Sequence, residues 1–242
     1  MAEQAIAQTV TNSGEPWFDV NRLRRDDTLI RRQPFPFFVA KQQLPLDMND
    51  ALQIDFPQKQ GAGYLPYEEV QCGQVLKDLV EYMTSAEFSN GVGDLLGIEN
   101  LSQYPTMVSI SKKLNKRHGT IHTDGKAKIA TVLMYLNEEW MNNSGGCLRF
   151  LNKIDDIEDL VVPEIPPVFG TLVGFKRTEN SFHGHLPFEG ERHVVQVAWV
   201  VSEEEKQRKM KRGGLSKVIK KIFGGLDKKV GAGRDKNASH RD

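Results

Sequence analysis

The sequence predicts a mainly β protein with flanking helices. From Thr106 onward the chain is a succession of short apolar runs broken by Gly, Asn and Pro: TMVSIS, KIATVLMYLN, GCLRFL, GTLVGF, SFHGH and VVQVAWVV. Many short strands at that spacing point to a sandwich or barrel. Ahead of them, Val75, Leu76, Leu79, Val80 and Met83 recur at helical spacing on one face. A chain of 242 residues, 39% of them hydrophobic, can bury one substantial core.

Taken in order, residues 1–33 read as a polar arm, with a strand expected near Trp17 to Val20. The body is expected over 34–202, opening on an apolar strand in PFPFFVAKQQLP and a short helix around Leu46 to Ile54. A lysine-rich tail, 203–242, follows, so the formal net charge of zero hides an acidic excess before it. The N-terminal segment has no basic stretch leading into an apolar run, and no apolar stretch is long enough to span a bilayer. A cytoplasmic protein is therefore expected. Cys72 and Cys147 stand far apart and outside any CxxC, against a disulfide framework, a zinc ribbon or an iron-sulfur site. A metal, if bound, must be held by histidine and carboxylate.

In RHGTIHTDGK, His122 and Asp124 are separated by one residue, which on an extended strand puts both side chains on one face, close enough to share an ion. Such a pair alone is more often a surface feature than a site. A third ligand stands about sixty residues later, where His183 lies on the strand of NSFHGHLPFEGER. Two histidines and one carboxylate make a facial triad that leaves coordination positions open. His185, on the same strand face, is the alternative ligand or a cavity-rim residue. Arg192 follows His183 by nine residues, past LPFEGE, at the head of HVVQVAWVV. A hairpin there would bring its guanidinium beside the metal, where the planar fork suits a carboxylate. Alternation turns Val194, Gln196 and Ala198 inward with Arg192, and His193 outward. His118 reads as an exposed loop histidine. Gly145 and Gly146 read as a tight turn into a strand and not as a phosphate cradle, since no P-loop lysine and hydroxyl accompany them.

HTD, the later histidine and the arginine nine residues on, with LMYLNEEW and SGGCLRF between them, resemble the prolyl 4-hydroxylase-type branch of the Fe(II)/2-oxoglutarate oxygenases, from about Pro34 to Val201. The resemblance implies a double-stranded β-helix (jelly-roll) core, His122, Asp124 and His183 as iron ligands, and Arg192 as the salt-bridge partner of 2-oxoglutarate. Tyr135, in LMYLN, matches a family tyrosine that hydrogen-bonds the cosubstrate; its other reading is a core tyrosine. Gln196 falls where relatives line the cosubstrate pocket; its other reading is a strand residue bonded to its neighbours. Relatives also carry a tyrosine about ten residues before the first ligand, and here that position is Lys112, which leaves the cosubstrate's second contact unassigned. The implied cofactors are Fe(II), 2-oxoglutarate as cosubstrate and O2, with ascorbate as an optional addition.

By that resemblance the chain is a 2-oxoglutarate-dependent dioxygenase that hydroxylates a prolyl or other amino-acid side chain, or a small molecule, while 2-oxoglutarate becomes succinate. Two rivals remain: a cupin-like metal-binding protein that does not use 2-oxoglutarate, and a non-catalytic scaffold recruited by its tail. In that tail Leu215, Val218, Ile219, Ile222, Phe223 and Leu226 form one apolar stripe flanked by lysines over 213–229. Such a helix can lie on an anionic membrane surface, giving a peripheral protein, dock on a partner, or cover the protein's own body. Nucleic acid is the weaker partner, because no aromatic stacking platform accompanies the charge.

Overall fold

The described strands are β1 (Leu29–Arg31), β2 (Phe37–Ala40), β3 (Tyr64–Pro66), β4 (Thr106–Leu114), β5 (Lys128–Tyr135), β6 (Arg149–Leu151), β7 (Leu172–Lys176), β8 (Phe182–Gly184) and β9 (Gly190–Val200). Seven build one antiparallel sheet in the order β1-β2-β7-β5-β9-β4-β3, and β6 pairs with β8 in a second, small sheet. The computed structural model describes residues 14, 16–58, 61–141 and 144–208. The chain divides into two compact units, Met1–Ser202 and Glu203–Asp242. In the second, residues 203–208 are helical, and the lysine-flanked stripe of 213–229 lies outside the described residues. Among the described residues no helix is long and apolar enough to cross a membrane.

Both faces of the large sheet are buried, which is why its central strands read as continuous apolar runs. Ala130, Val132 and Met134 of β5, with Val195, Val197 and Trp199 of β9, pack into one core with the helices α2 (Gln74–Thr84) and α3 (Ala86–Leu96). The intervening residues, Leu133, Tyr135 and Val194, join a second core with Phe37, Phe175 and Phe150, the last from the small sheet. The mainly β expectation with flanking helices holds, and a two-sheet β core of this kind is what a jelly roll requires.

Helix α2 buries Leu76, Leu79, Val80 and Met83, as the periodicity requires. It stops at Ser85, whose Oγ accepts from the Phe88 N–H at 3.2 Å and starts α3. Helix α3 was not legible: AEFSNGVGDLL carries Ser, Asn and two glycines, all poor helix formers. Packing overrides propensity there, because a Cβ on Gly91 would meet Val20 at 2.8 Å and one on Gly93 the Ile98 carbonyl at 2.5 Å. The helix around Leu46 to Ile54 is observed as a 3-10 turn, Leu46–Met48, running into α1 (Asn49–Asp55).

The strand expected near Trp17 to Val20 is not formed. Asp19 instead accepts from the Asn21 N–H and caps a 3-10 turn, Val20–Arg24, which buries Leu23. The described part of the expected arm is thus packed, and β1 extends the large sheet. Cys72 and Cys147 are not joined in a disulfide.

Gly174 lies on β7 between Phe38 of β2 and Val132 of β5. An added Cβ would run into the fully buried Phe38 ring. Gly174→Ala is expected to destabilise the fold by about 1–3 kcal/mol, the cost of overpacking. Urea denaturation measures this. The strain falls on the helix-side core, so metal affinity should not change.

Candidate active site

His122 and His183 are brought together by backbone pairing. Each donates its N–H to the other's carbonyl at 3.0 Å, an isolated antiparallel bridge that extends the β8 edge. The segment holding His122 and Asp124 is therefore extended at a bridge and not a full strand. His122, Asp124 and His183 each offer a ligand atom, all within 4.8 Å of one another. The rings of His122 and His183 are 4.4 Å apart, and Phe175 packs on His183 from 4.4 Å.

The donor set fits a divalent metal. The Nδ1 of His122 bonds the Thr120 carbonyl at 2.8 Å, and that of His183 bonds the Ser181 carbonyl at 2.9 Å. A carbonyl only accepts, so both Nδ1 atoms carry the proton and both Nε2 lone pairs are left for an ion. Asp124 is held by Lys128 on Oδ1 and by Thr131 on Oδ2, each at 2.6 Å, and Arg177 grips its main-chain carbonyl at 3.2 Å. Burial alone would push the Asp124 carboxyl up, but the adjacent Lys128 ammonium, His183 and the two hydrogen bonds hold it down at about 2. Two histidine nitrogens and an ionised carboxylate suit Fe(II).

Burial lowers His183 to about 4, with Asp124 opposing and His122 adding to the fall. Burial likewise lowers His185 to about 4. An unfolded histidine protonates near 6.5, so the unfolded chain takes up these protons first as pH falls. Their contribution to stability is complete above 6.5 and drains away toward 4. The urea midpoint of the metal-free protein is expected to fall across that window, and less steeply in His185→Gln. A flat profile would contradict the buried, neutral histidines.

Arg192 is only 2% exposed. Its Nε donates to the Gly146 carbonyl at 2.8 Å, Nη2 to the Tyr135 hydroxyl at 3.1 Å and Nη1 to the Tyr64 hydroxyl at 3.3 Å. Its Cζ lies 5.0 Å from the Tyr135 ring centre. None of these partners is anionic. A cavity of about 230 Å³ joins the two clusters, lined by the triad, Arg192, Tyr64, Lys128 and Thr131.

The sequence-predicted residues thus divide clearly. His122, Asp124, His183, Arg192 and Gln196 line one cavity, with His185 and His118 on its wall. Tyr135 reaches it through Arg192, and Gln196 donates to Ser109 Oγ at 3.2 Å. His118 is half-buried there and not an exposed loop residue. His193 points away from Arg192 but not to solvent: it stacks on Phe56 at 4.5 Å and bonds Gln53 at 3.0 Å. A second buried layer lies behind the sheet, which alternation alone does not reveal. Thr131, Lys128, Arg177 and Tyr64 escaped the sequence reading. Thr131 shares the parity of Tyr135 on β5 and could have been found; Tyr64 comes from an edge strand with no motif around it.

Fold and site define a two-sheet β protein with a two-histidine, one-carboxylate centre facing a buried arginine. Residues 108–201 match the model of the 2OG-Fe(II) oxygenase superfamily, so the resemblance read from the motifs holds over the segment carrying all three candidate ligands and Arg192. Among solved structures, a prolyl-4-hydroxylase from Pseudomonas putida is similar at 19% identity, over 68% of this chain and 84% of that one, with a TM-score of 0.48. A prolyl hydroxylase from Trichoplax adhaerens, in complex with a hypoxia inducible factor peptide fragment, is similar at 18% identity over 79% and 90%, TM-score 0.46. A viral collagen prolyl hydroxylase from Paramecium Bursaria Chlorella virus-1 is similar at 16% identity over 68% and 94%, TM-score 0.44. The comparison with curated proteins gave no match.

Proposed function

We propose that this chain is an Fe(II)- and 2-oxoglutarate-dependent dioxygenase that hydroxylates a carbon of an amino-acid side chain, a prolyl ring among them, or of a small molecule. The carrying observation is the charge balance of the cavity. Arg192 is a buried cation with neutral partners only, and among the described residues no carboxylate pairs with it. An unpaired buried charge costs several kcal/mol. A bound dicarboxylate removes that cost while its other end reaches the triad.

His122, Asp124 and His183 would hold the iron. Fe(II) supplies the redox chemistry by which one oxygen atom of O2 enters the substrate as hydroxyl and the other enters succinate, with CO2 released. Arg192 fixes the distal carboxylate. Burial of His183 keeps its imidazole unprotonated and ready to bind. Lys128 and Thr131 keep Asp124 ionised and oriented. The apolar walls, Leu114, Leu133, Leu148 and Phe175, exclude water around the reacting atoms.

The test is anaerobic titration of the protein with Fe(II) and then 2-oxoglutarate, following the weak visible charge-transfer band of the chelate. A band that saturates with 2-oxoglutarate and is missing in His183→Ala supports the reading. Bound iron with no band at any 2-oxoglutarate concentration would replace it with a cupin-like metal protein.

A further inference from the structure

We propose that Tyr64, supplied by edge strand β3 and lying outside the 108–201 segment that matches the superfamily, is a binding residue for the distal carboxylate of 2-oxoglutarate. The inference rests on the dioxygenase reading above and concerns the residue that completes its cosubstrate socket.

The sheet register carries it. Tyr64 pairs with Ser111, Ser111 with Val194, and Val194 with Tyr135, so four strands contribute one cross-strand row. Directly paired residues point to the same face. Val194 and Tyr135 belong to the core on the site side, so the whole row faces the site. Three strand spacings separate the two tyrosine backbones, roughly 14 Å. Their hydroxyls nevertheless converge on a single guanidinium, at 3.1 and 3.3 Å.

Protons decide what the convergence is for. Guanidinium is a donor only, so both phenol oxygens accept from Arg192 and each keeps its own hydrogen to donate. Neither hydroxyl has a further partner among the described residues. Ser111, in the same row, has a buried Oγ with no hydrogen-bond partner among the described residues. Tyr135 and Ser111 are buried, and buried hydroxyls left without acceptors are uncommon in native proteins, whereas Tyr64 is 38% exposed and lines the same cavity. Two phenol O–H groups and the unused guanidinium N–H groups thus surround one place in the cavity, and they are satisfied together by a carboxylate.

The same register explains why Lys112 cannot serve. A bulge in β4 between Ser111 and Lys113 takes Lys112 out of the pairing, and its ammonium lies against the Gln58 carbonyl on the exterior. The extra residue breaks the alternation at that position. Tyr64 approaches from the neighbouring strand.

The experiment compares anaerobic Fe(II)-loaded full-length wild type with Tyr64→Phe, which keeps the ring and removes only the hydroxyl. The ligands are 2-oxoglutarate, N-oxalylglycine, which also carries a distal carboxylate, and oxalate, which chelates metal without one. Loss of one hydrogen bond to a charged group should weaken 2-oxoglutarate and N-oxalylglycine about tenfold to a hundredfold. Oxalate and Fe(II) affinities should stay within about twofold. Unchanged 2-oxoglutarate affinity in Tyr64→Phe, with Arg192→Lys impaired, overturns the role of Tyr64 and leaves the dioxygenase reading standing. Equal weakening of oxalate and 2-oxoglutarate also overturns it, because the hydroxyl would then only support the fold. Failure of wild type to bind 2-oxoglutarate overturns both.

Discussion

Arg192→Ala is expected to weaken 2-oxoglutarate by two to four decades while Fe(II) affinity stays within a few-fold of wild type. Each charge-assisted hydrogen bond is worth roughly 1.5–3 kcal/mol, and the fork makes two of them, at about 1.4 kcal/mol per decade. The substitution also strips a donor from the Gly146 carbonyl and from both tyrosine hydroxyls. Some loss of stability should therefore accompany it. Arg192→Lys separates the two effects: it keeps the cation but gives up the planar fork, and its affinity should fall between the others. Calorimetric titration of the metal-loaded proteins measures both constants. Wild-type affinity in Arg192→Ala would refute the assignment of the arginine as the dicarboxylate anchor.

The second large effect is at the metal. His183→Ala and Asp124→Ala should each lower Fe(II) or Mn(II) affinity by more than about a hundredfold, since even the residues behind metal ligands are worth 10–100-fold. The two variants should differ in stability. Asp124→Ala leaves the Lys128 ammonium, whose side chain is 17% exposed, without its partner. Breaking such a pair from one side costs about 3 kcal/mol. Removing both partners, in Asp124→Ala/Lys128→Met, should recover much of that stability while metal binding stays lost. Urea melts with equilibrium dialysis of the metal resolve the two outcomes. Full metal affinity in either single variant would show that the three side chains are not the centre.

The sequence by itself determined the local features. Periodicity of two placed Val194, Gln196 and Ala198 with Arg192 on one face of their strand, and helical periodicity placed the buried face of α2. The spacing of HTD, His183 and Arg192 identified the candidate site because those residues sit on short extended segments whose side-chain direction follows from position alone. Tertiary structure decided what depends on lateral pairing. It set α3 against the sheet despite its glycines, since packing outweighs a weak propensity. It buried His193 behind the sheet and not in solvent, because helix α1 covers that face. It put Lys128 and Thr131 on Asp124, and it brought Tyr64 to Arg192 across 128 positions of sequence through the order β3-β4-β9. Strand order is set by which surfaces exclude water best across the whole sheet. That sum runs over residues far apart in the chain, and no window of the sequence contains it.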